Sequence, residues 1–278
     1  MINEFKSFNQ RVEDTSKIKE ISLELLENFD KFCRSNGLKY TLTQGTLLGA
    51  VRHKGIIPWD DDIDVAMYRE DYDKLIHLSK SMPDNCVFIS HETDKKYSRL
   101  YGRICNKNYL SVDKYYSGTT TNYYGIDIFP IEEVPENSDE YYKFAKKLRI
   151  LRQMYIFSNS ALFKGTSFLR AYIIKPLPII LCKIIGRNTI YNMFYNTVNK
   201  YKSTGSNTLA ILTGEYVFKE NFPKAEYLEL IDMPFEKNNR MCIREYDKYL
   251  SKIYGDYMKL PPEDKRVNRH NFTLYTKE

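Results

Sequence analysis

Apolar residues recur at steps of three and four from about Ser16 to Ser35, at Ile18, Ile21, Leu25, Phe29 and Phe32. That spacing predicts an amphipathic helix with one buried face. Asn36-Gly37 ends it, because both residues accept the left-handed backbone that closes a helix. Leu38 to Thr43 reads as a strand, about Thr46 to His53 as a short helix, and Ile63 to Met67 as a strand that carries acids. Helix returns from about Arg69 to Ser81, before Pro83, and strands are predicted near Val87–His91, Arg99–Asn106 and Gly125–Phe129. Helix, strand, helix, strand and then further strands predict an α+β architecture, a mixed β-sheet flanked by helices. The region from Glu140 to Lys202 is rich in Tyr, Ile, Leu and Lys and reads as mainly helical. The chain is therefore expected to divide into a core over 1–135, a helical insertion over 136–205 and a C-terminal part over 206–278 that completes the core.

Residues 168–185 form the most apolar stretch. Arg170, Lys175 and Lys183 interrupt it and Pro176 and Pro178 break it, whereas a membrane span needs about 20 mostly uncharged residues. Two readings stay open: a buried helical hairpin of the core, or an amphipathic element resting on a bilayer with its lysines toward lipid phosphates.

Composition narrows the function classes. Hydrophobic residues make up 42% of the 278 residues and charged residues 28%, a balance that argues for a folded domain with a sizeable core. The formal charge of +6 suits anionic small molecules or an anionic membrane surface better than sequence-specific DNA binding. No dense basic helix, zinc-finger spacing or aromatic RNA-binding signature appears, so nucleic acid is not expected as a partner. Cys33, Cys86, Cys105, Cys182 and Cys242 are scattered and never in a Cys-x-x-Cys pair, which reads as buried reduced thiols. The run Met1 to Lys6 lacks the apolar stretch of a signal peptide, and the expected location is cytoplasmic, with peripheral contact at the inner face of the cell membrane open.

The candidate chemistry is concentrated between Thr43 and Val65. Gly45-Thr46 reads as a turn where backbone N–H groups approach phosphate oxygens. Downstream, Asp62 and Asp64 are interleaved with Ile63 and Val65, and on a strand two carboxylates spaced by two project from one face. Paired carboxylates of that kind suit Mg²⁺, which takes one or two of them together with substrate phosphates. Asp127 sits between Ile126 and Ile128, an odd place for an acid unless something pairs with it.

This constellation resembles the nucleotidyltransferase fold, in which a glycine with a small hydroxyl residue precedes a paired acid strand and a third acid on a later strand. More narrowly, Gly45-Thr46-Leu47-Leu48-Gly49-Ala50-Val51-Arg52-His53-Lys54-Gly55 and Ile57-Pro58-Trp59-Asp60-Asp61-Asp62-Ile63-Asp64 resemble the signature of the LicD family, which includes bacterial phosphocholine transferases and fukutin-related protein. Gly125-Ile126-Asp127-Ile128-Phe129-Pro130 and Tyr254-Gly255-Asp256-Tyr257-Met258-Lys259-Leu260-Pro261-Pro262 are similar to it as well. The resemblance is weakest between about Glu136 and Ala210, and Gln44 stands where many members carry glycine.

The resemblance implies that Asp62, Asp64 and Asp127 are the catalytic and metal-binding acids, holding Mg²⁺ (or Mn²⁺) against the diphosphate of a CDP-linked donor. It implies transfer of phosphocholine from CDP-choline to a hydroxyl of a lipid-linked cell-surface glycan, such as a teichoic acid or lipopolysaccharide precursor, with release of CMP. CDP-ribitol or CDP-glycerol as donor would keep the same chemistry. A true nucleotidyltransferase releasing pyrophosphate and a non-catalytic glycan-binding module are the remaining alternatives. Gly45, Thr46, Arg52, Trp59, Arg269 and His270 are the candidate contacts to donor phosphate or nucleotide. His53 and Lys54 read as loop residues, Asp61 as a turn former, and Trp59 as a packing residue or a platform for cytosine or a cation. Tyr115, Tyr116, Tyr123 and Tyr124 flank the third acid and are the first candidates for an aromatic cage around choline.

Overall fold

The computed structural model describes residues 7–113, 123–163, 169–268 and 272–277. Arg269, His270, Tyr115 and Tyr116 lie outside the described residues. The first amphipathic pattern becomes helix α1, Thr15–Ser35. Asp14 caps it by accepting from the Ser16 backbone N–H at 2.8 Å, and Gly37 at φ +64° turns the chain away from it. Ile21, Leu25, Leu26 and Phe29 on its inner face are almost wholly buried; each such side chain contributes about 1.5–3 kcal/mol on burial.

The strands in chain order are β1 (Phe8–Val12), β2 (Thr41–Leu42), β3 (Asp64–Tyr68), β4 (Cys86–Ile89), β5 (Gly102–Asp113), β6 (Tyr123–Glu133), β7 (Thr208–Ile211), β8 (Phe222–Pro223), β9 (Leu230–Phe235), β10 (Asn238–Ile243) and β11 (Phe272–Lys277). Among the described residues, β1-β11-β5-β6-β3-β2 form the main path of a sheet, joined by β4 on β5, β7 on β6 and β8 on β7. The β3–β6 pair is parallel and the others are antiparallel, so the sheet is mixed; β9 and β10 make a separate hairpin. Helices α2 (Gln44–His53) and α3 (Arg69–Leu78) flank the strand β3. The α+β architecture expected from the pattern is present.

The predicted Leu38–Thr43 strand shrinks to Thr41–Leu42, because the flanking backbone finds other partners: Leu38 N–H bonds the Cys33 carbonyl and Lys39 N–H the Asp71 carboxylate. Strand β5 runs further than predicted, since β11 pairs its second half. Helices α4 (Ser138–Asn159), α5 (Pro176–Ile185) and α6 (Arg187–Val198) pack on one another around Leu148, Ile190 and Phe194. Short α7 (Lys224–Leu228) and α8 (Tyr246–Tyr254) complete the helices. The reading of 168–185 as a buried hairpin is corrected: α5 buries only Ile179 and Cys182. Among the described residues no helix is long and apolar enough to cross a membrane.

Candidate active site

The acids meet where β3 and β6 run side by side. Asp64 opens β3 and lies opposite Asp127 of β6 in the parallel register. Asp62 falls just before the strand, in the extended segment leading into it, and Asp127 N–H bonds the Ile63 carbonyl at 3.0 Å. The ladder thus sets Asp64 beside Asp127, and with Asp62 they line a cavity of about 860 Å³, within the size range of small-molecule sites.

The glycine segment positions this rim. Gln44 begins α2 at φ +46°, the left-handed region where glycine is at ease and other residues pay roughly 1–2 kcal/mol. Gly45 lines the cavity, and a Cβ there would stand 3.3 Å from Asp60 Oδ2. Thr46 has a different task from the phosphate contact expected of it. It is buried, and its hydroxyl accepts the Asp64 backbone N–H at 2.8 Å, locking α2 to the start of the acid strand. Gly49 is needed for closure: a Cβ would stand 2.5 Å from the Gly55 carbonyl oxygen.

Arg52 and Trp59 both line the cavity. Arg52 donates from Nη1 to the Tyr257 carbonyl at 2.8 Å and from Nε to His53 Nε2 at 3.0 Å; burial and then the nearby Arg266 lower its pKa. His53 meets Trp59 edge-on with ring centroids 5.8 Å apart, and the Arg266 guanidinium lies 5.7 Å from the Trp59 ring. Asp61 is more than a turn former: its carboxylate accepts from Asn268 at 2.7 Å and its carbonyl from Tyr124 at 2.9 Å. The Tyr124 hydroxyl also meets Ser22 at 2.7 Å, so this aromatic is a structural strut, while both Tyr123 and Tyr124 contribute to the wall.

Asp127 carries the clearest electrostatic signature. Arg103 Nε donates to it at 2.5 Å, and Arg99 Nη1 stands 3.8 Å away. Burial works against its charge, but the two guanidiniums and hydrogen bonds from Arg103 and Tyr101 outweigh that and hold the carboxyl below its ordinary value. Among the described residues no three His, Cys, Asp or Glu side chains gather closely enough to cage a metal. The three acids are therefore not a ready-made ligand set, and Asp127 is engaged by arginine. Asp62 and Asp64 still bring hard oxygen donors to the cavity wall, a set that suits Mg²⁺ or Mn²⁺ completing its shell with phosphate and water.

Several cavity residues were not singled out in the sequence. Arg99, Tyr101 and Arg103 alternate at period two along the chain, a pattern that would have shown one face of a strand. Arg103 sits directly opposite Asp127 in the β5–β6 register, a cross-strand charge pair. Three buried polar atoms without a hydrogen-bond partner, Gln44 Nε2, Tyr97 Oη and Thr213 Oγ1, belong to residues that line this same cavity. Buried polar atoms are nearly always satisfied, so these three stand out along the cavity wall.

Comparison with known proteins agrees with this arrangement. The nucleotidyltransferase domain of the LicD/FKTN/FKRP family matches residues 37–170. Across 255 residues the chain is 26% identical to the lipopolysaccharide cholinephosphotransferase LicD of Haemophilus influenzae, covering 90% of this chain and 93% of that one. A Rickettsia prowazekii protein of uncharacterized function is 40% identical over 95 residues, 34% of this chain and 33% of its own length. The ribitol 5-phosphate transferase FKRP of human and mouse is 57% identical over 35 residues, 13% of this chain and 7% of that protein. With its glycine helix, acid strand and third acid lining one cavity, residues 37–170 carry a nucleotidyltransferase domain of the LicD/FKTN/FKRP type.

Proposed function

We propose that the protein is a phosphotransferase that moves phosphocholine from CDP-choline to a hydroxyl of a cell-surface glycan carried on lipid, releasing CMP. The observation that carries the reading is the meeting of Asp62, Asp64 and Asp127 with Arg52, Arg99 and Arg103 on one cavity, a pattern of opposed charges suited to a metal-bound diphosphate. Mg²⁺ held by Asp62 and Asp64 would draw charge from the diphosphate and from the departing CMP. Arg103, fixed by Asp127, and Arg52 face the donor phosphates, and Asp127 orients the acceptor hydroxyl. That hydroxyl bonds to the distal phosphorus as the bond to CMP breaks, and its proton passes to a carboxylate of the site and then to solvent.

Two observations bear on the head group. Trp59, Tyr101, Phe129, Tyr216 and Tyr254 on the cavity wall suit a quaternary ammonium, which aromatic faces attract. The 57% identity over 35 residues to the ribitol 5-phosphate transferase FKRP favours the second reading, a polyol such as ribitol or glycerol. CMP release from CDP-choline, CDP-glycerol and CDP-ribitol, with Mg²⁺ and with EDTA, separates them. Metal-dependent release from CDP-choline alone is the expected result; release from a polyol donor alone would move the assignment to that donor. Pyrophosphate as product would make the protein a nucleotidyltransferase. No release from any donor with lipid-linked glycan supplied would leave a binding module.

A further inference from the structure

Helix α5 presents an apolar face to the outside of the molecule. Leu177, Ile180, Leu181 and Ile184 follow the steps i, i+3, i+4 and i+7, which align on one side of a helix. Leu177 is 64% exposed and Ile184 76%, while Ile179 and Cys182 on the opposite side are 1% and 5% exposed. The turn before the helix adds exposed Ile173 and Ile174. Soluble surfaces rarely carry contiguous apolar area of this kind unless something covers it.

The sequence around this face supplies the second observation. From Tyr141 to Gly214 the chain contains twelve Lys and Arg residues and no Asp or Glu, whereas the remainder has thirty basic against thirty-six acidic residues. The whole chain's net charge of +6 thus hides a strongly cationic helical region and an acidic remainder. Lys143, Lys146, Lys147 and Arg149 of α4 and Lys183 of α5 are exposed.

We propose that α5 and the turn before it dock on an anionic bilayer, with Leu177, Ile180, Leu181 and Ile184 entering the interface and the cationic tract drawn to lipid phosphates. At ten residues the helix is about 15 Å long, half of what a span requires, so it lies in the interface plane. Each basic residue near such a surface adds to the attraction. A second copy of the chain is the other candidate cover, but a two-fold contact would set two acid-free cationic tracts against each other, and like charges disfavour that.

The test is flotation of the full chain with neutral phosphatidylcholine vesicles and with vesicles containing 30% phosphatidylglycerol. Docking requires co-flotation with the anionic vesicles, weakened by salt, and at least a tenfold loss in Leu177→Glu/Ile184→Glu. A companion Lys143→Glu/Lys146→Glu/Lys147→Glu variant should lose binding to the anionic vesicles while its thermal unfolding midpoint stays unchanged. Absence of wild-type flotation, or flotation undiminished in a folded Leu177→Glu/Ile184→Glu variant, overturns the proposal. So does a wild-type dimer that the same variant dissociates without any lipid binding. Flotation needs no catalysis, so failure here and failure of the donor assignment are told apart.

Discussion

The sheet region and the α4–α6 layer use charge in opposite ways. Around the cavity, acids and arginines are brought into register and partly buried, as with Asp127 between Arg103 and Arg99. In the helical layer the acids are missing from Tyr141 onward, and Lys143, Lys146, Lys147, Arg149 and Lys183 stand outward beside an uncovered apolar face. Charges that are paired and buried are costly to disturb, because removing one partner strands the other in a medium that cannot solvate it. Charges that stand in water are individually cheap and act together, over distance.

The sharpest way to break this contrast is at the acid pair. Asp62→Asn and Asp64→Asn should each lower CMP release by about 10³-fold, the scale on which single electrostatic stabilisers of a transition state act, with the unfolding midpoint retained. Activity surviving in both variants would remove these acids from the chemistry. Next comes Arg103→Met, which leaves Asp127 buried with its main partner gone and should cost about 3–5 kcal/mol in urea denaturation. Lys147→Ala on the exposed face of α4 should stay within about 0.5 kcal/mol. Equal costs for the two would mean that the regions do not differ as described.

Smaller effects refine the cavity side. Gln44→Ala and Thr213→Val remove buried polar atoms that have no partner within the protein, so neither should cost more than about 1 kcal/mol in urea denaturation. A loss above about 2 kcal/mol in both variants would mean that these atoms are satisfied in the folded protein.

A pH dependence sharpens the comparison in another way. Burial pushes the Glu220 carboxyl up to about 8, against hydrogen bonds from Tyr249 and Tyr227 and the charge of Lys252. The folded protein therefore keeps a proton that the unfolded chain loses near its ordinary value of 4.5. Its contribution is full below that value and is lost as pH rises toward about 8. Melting curves at pH 5, 6.5 and 8 should show Glu220→Gln gaining on wild type with each step, and parallel curves would refute it. The tract from Tyr141 to Gly214 holds neither carboxylate nor histidine, so it adds no comparable dependence over this range.

Much of this was legible along the chain. The spacing of Ile18 to Phe32 announced α1 because helical periodicity is local, and the interleaving of Asp127 with isoleucines announced a paired acid because an unpaired one would not survive burial. The site was legible only as far as its signature ran. Arg103 lies 24 residues from Asp127 and is joined to it by antiparallel register, which no spacing rule supplies. Thr46 looked like a phosphate contact because a hydroxyl beside glycine fits that role, but packing turned it toward the Asp64 backbone.

The apolar stretch 168–185 shows the same division. Composition alone made α5 apolar except at Lys183, and nothing local could say which side would be covered. That was decided by α4 and α6, which bury Ile179 and Cys182 and leave Leu177 and Ile184 outside. By itself the sequence determined the helices, the acid strand and the placement of charge along the chain, since these follow from neighbours a few residues apart. Only the tertiary structure decided which charges meet and which apolar face stays open, because both depend on contacts between segments far apart in the chain.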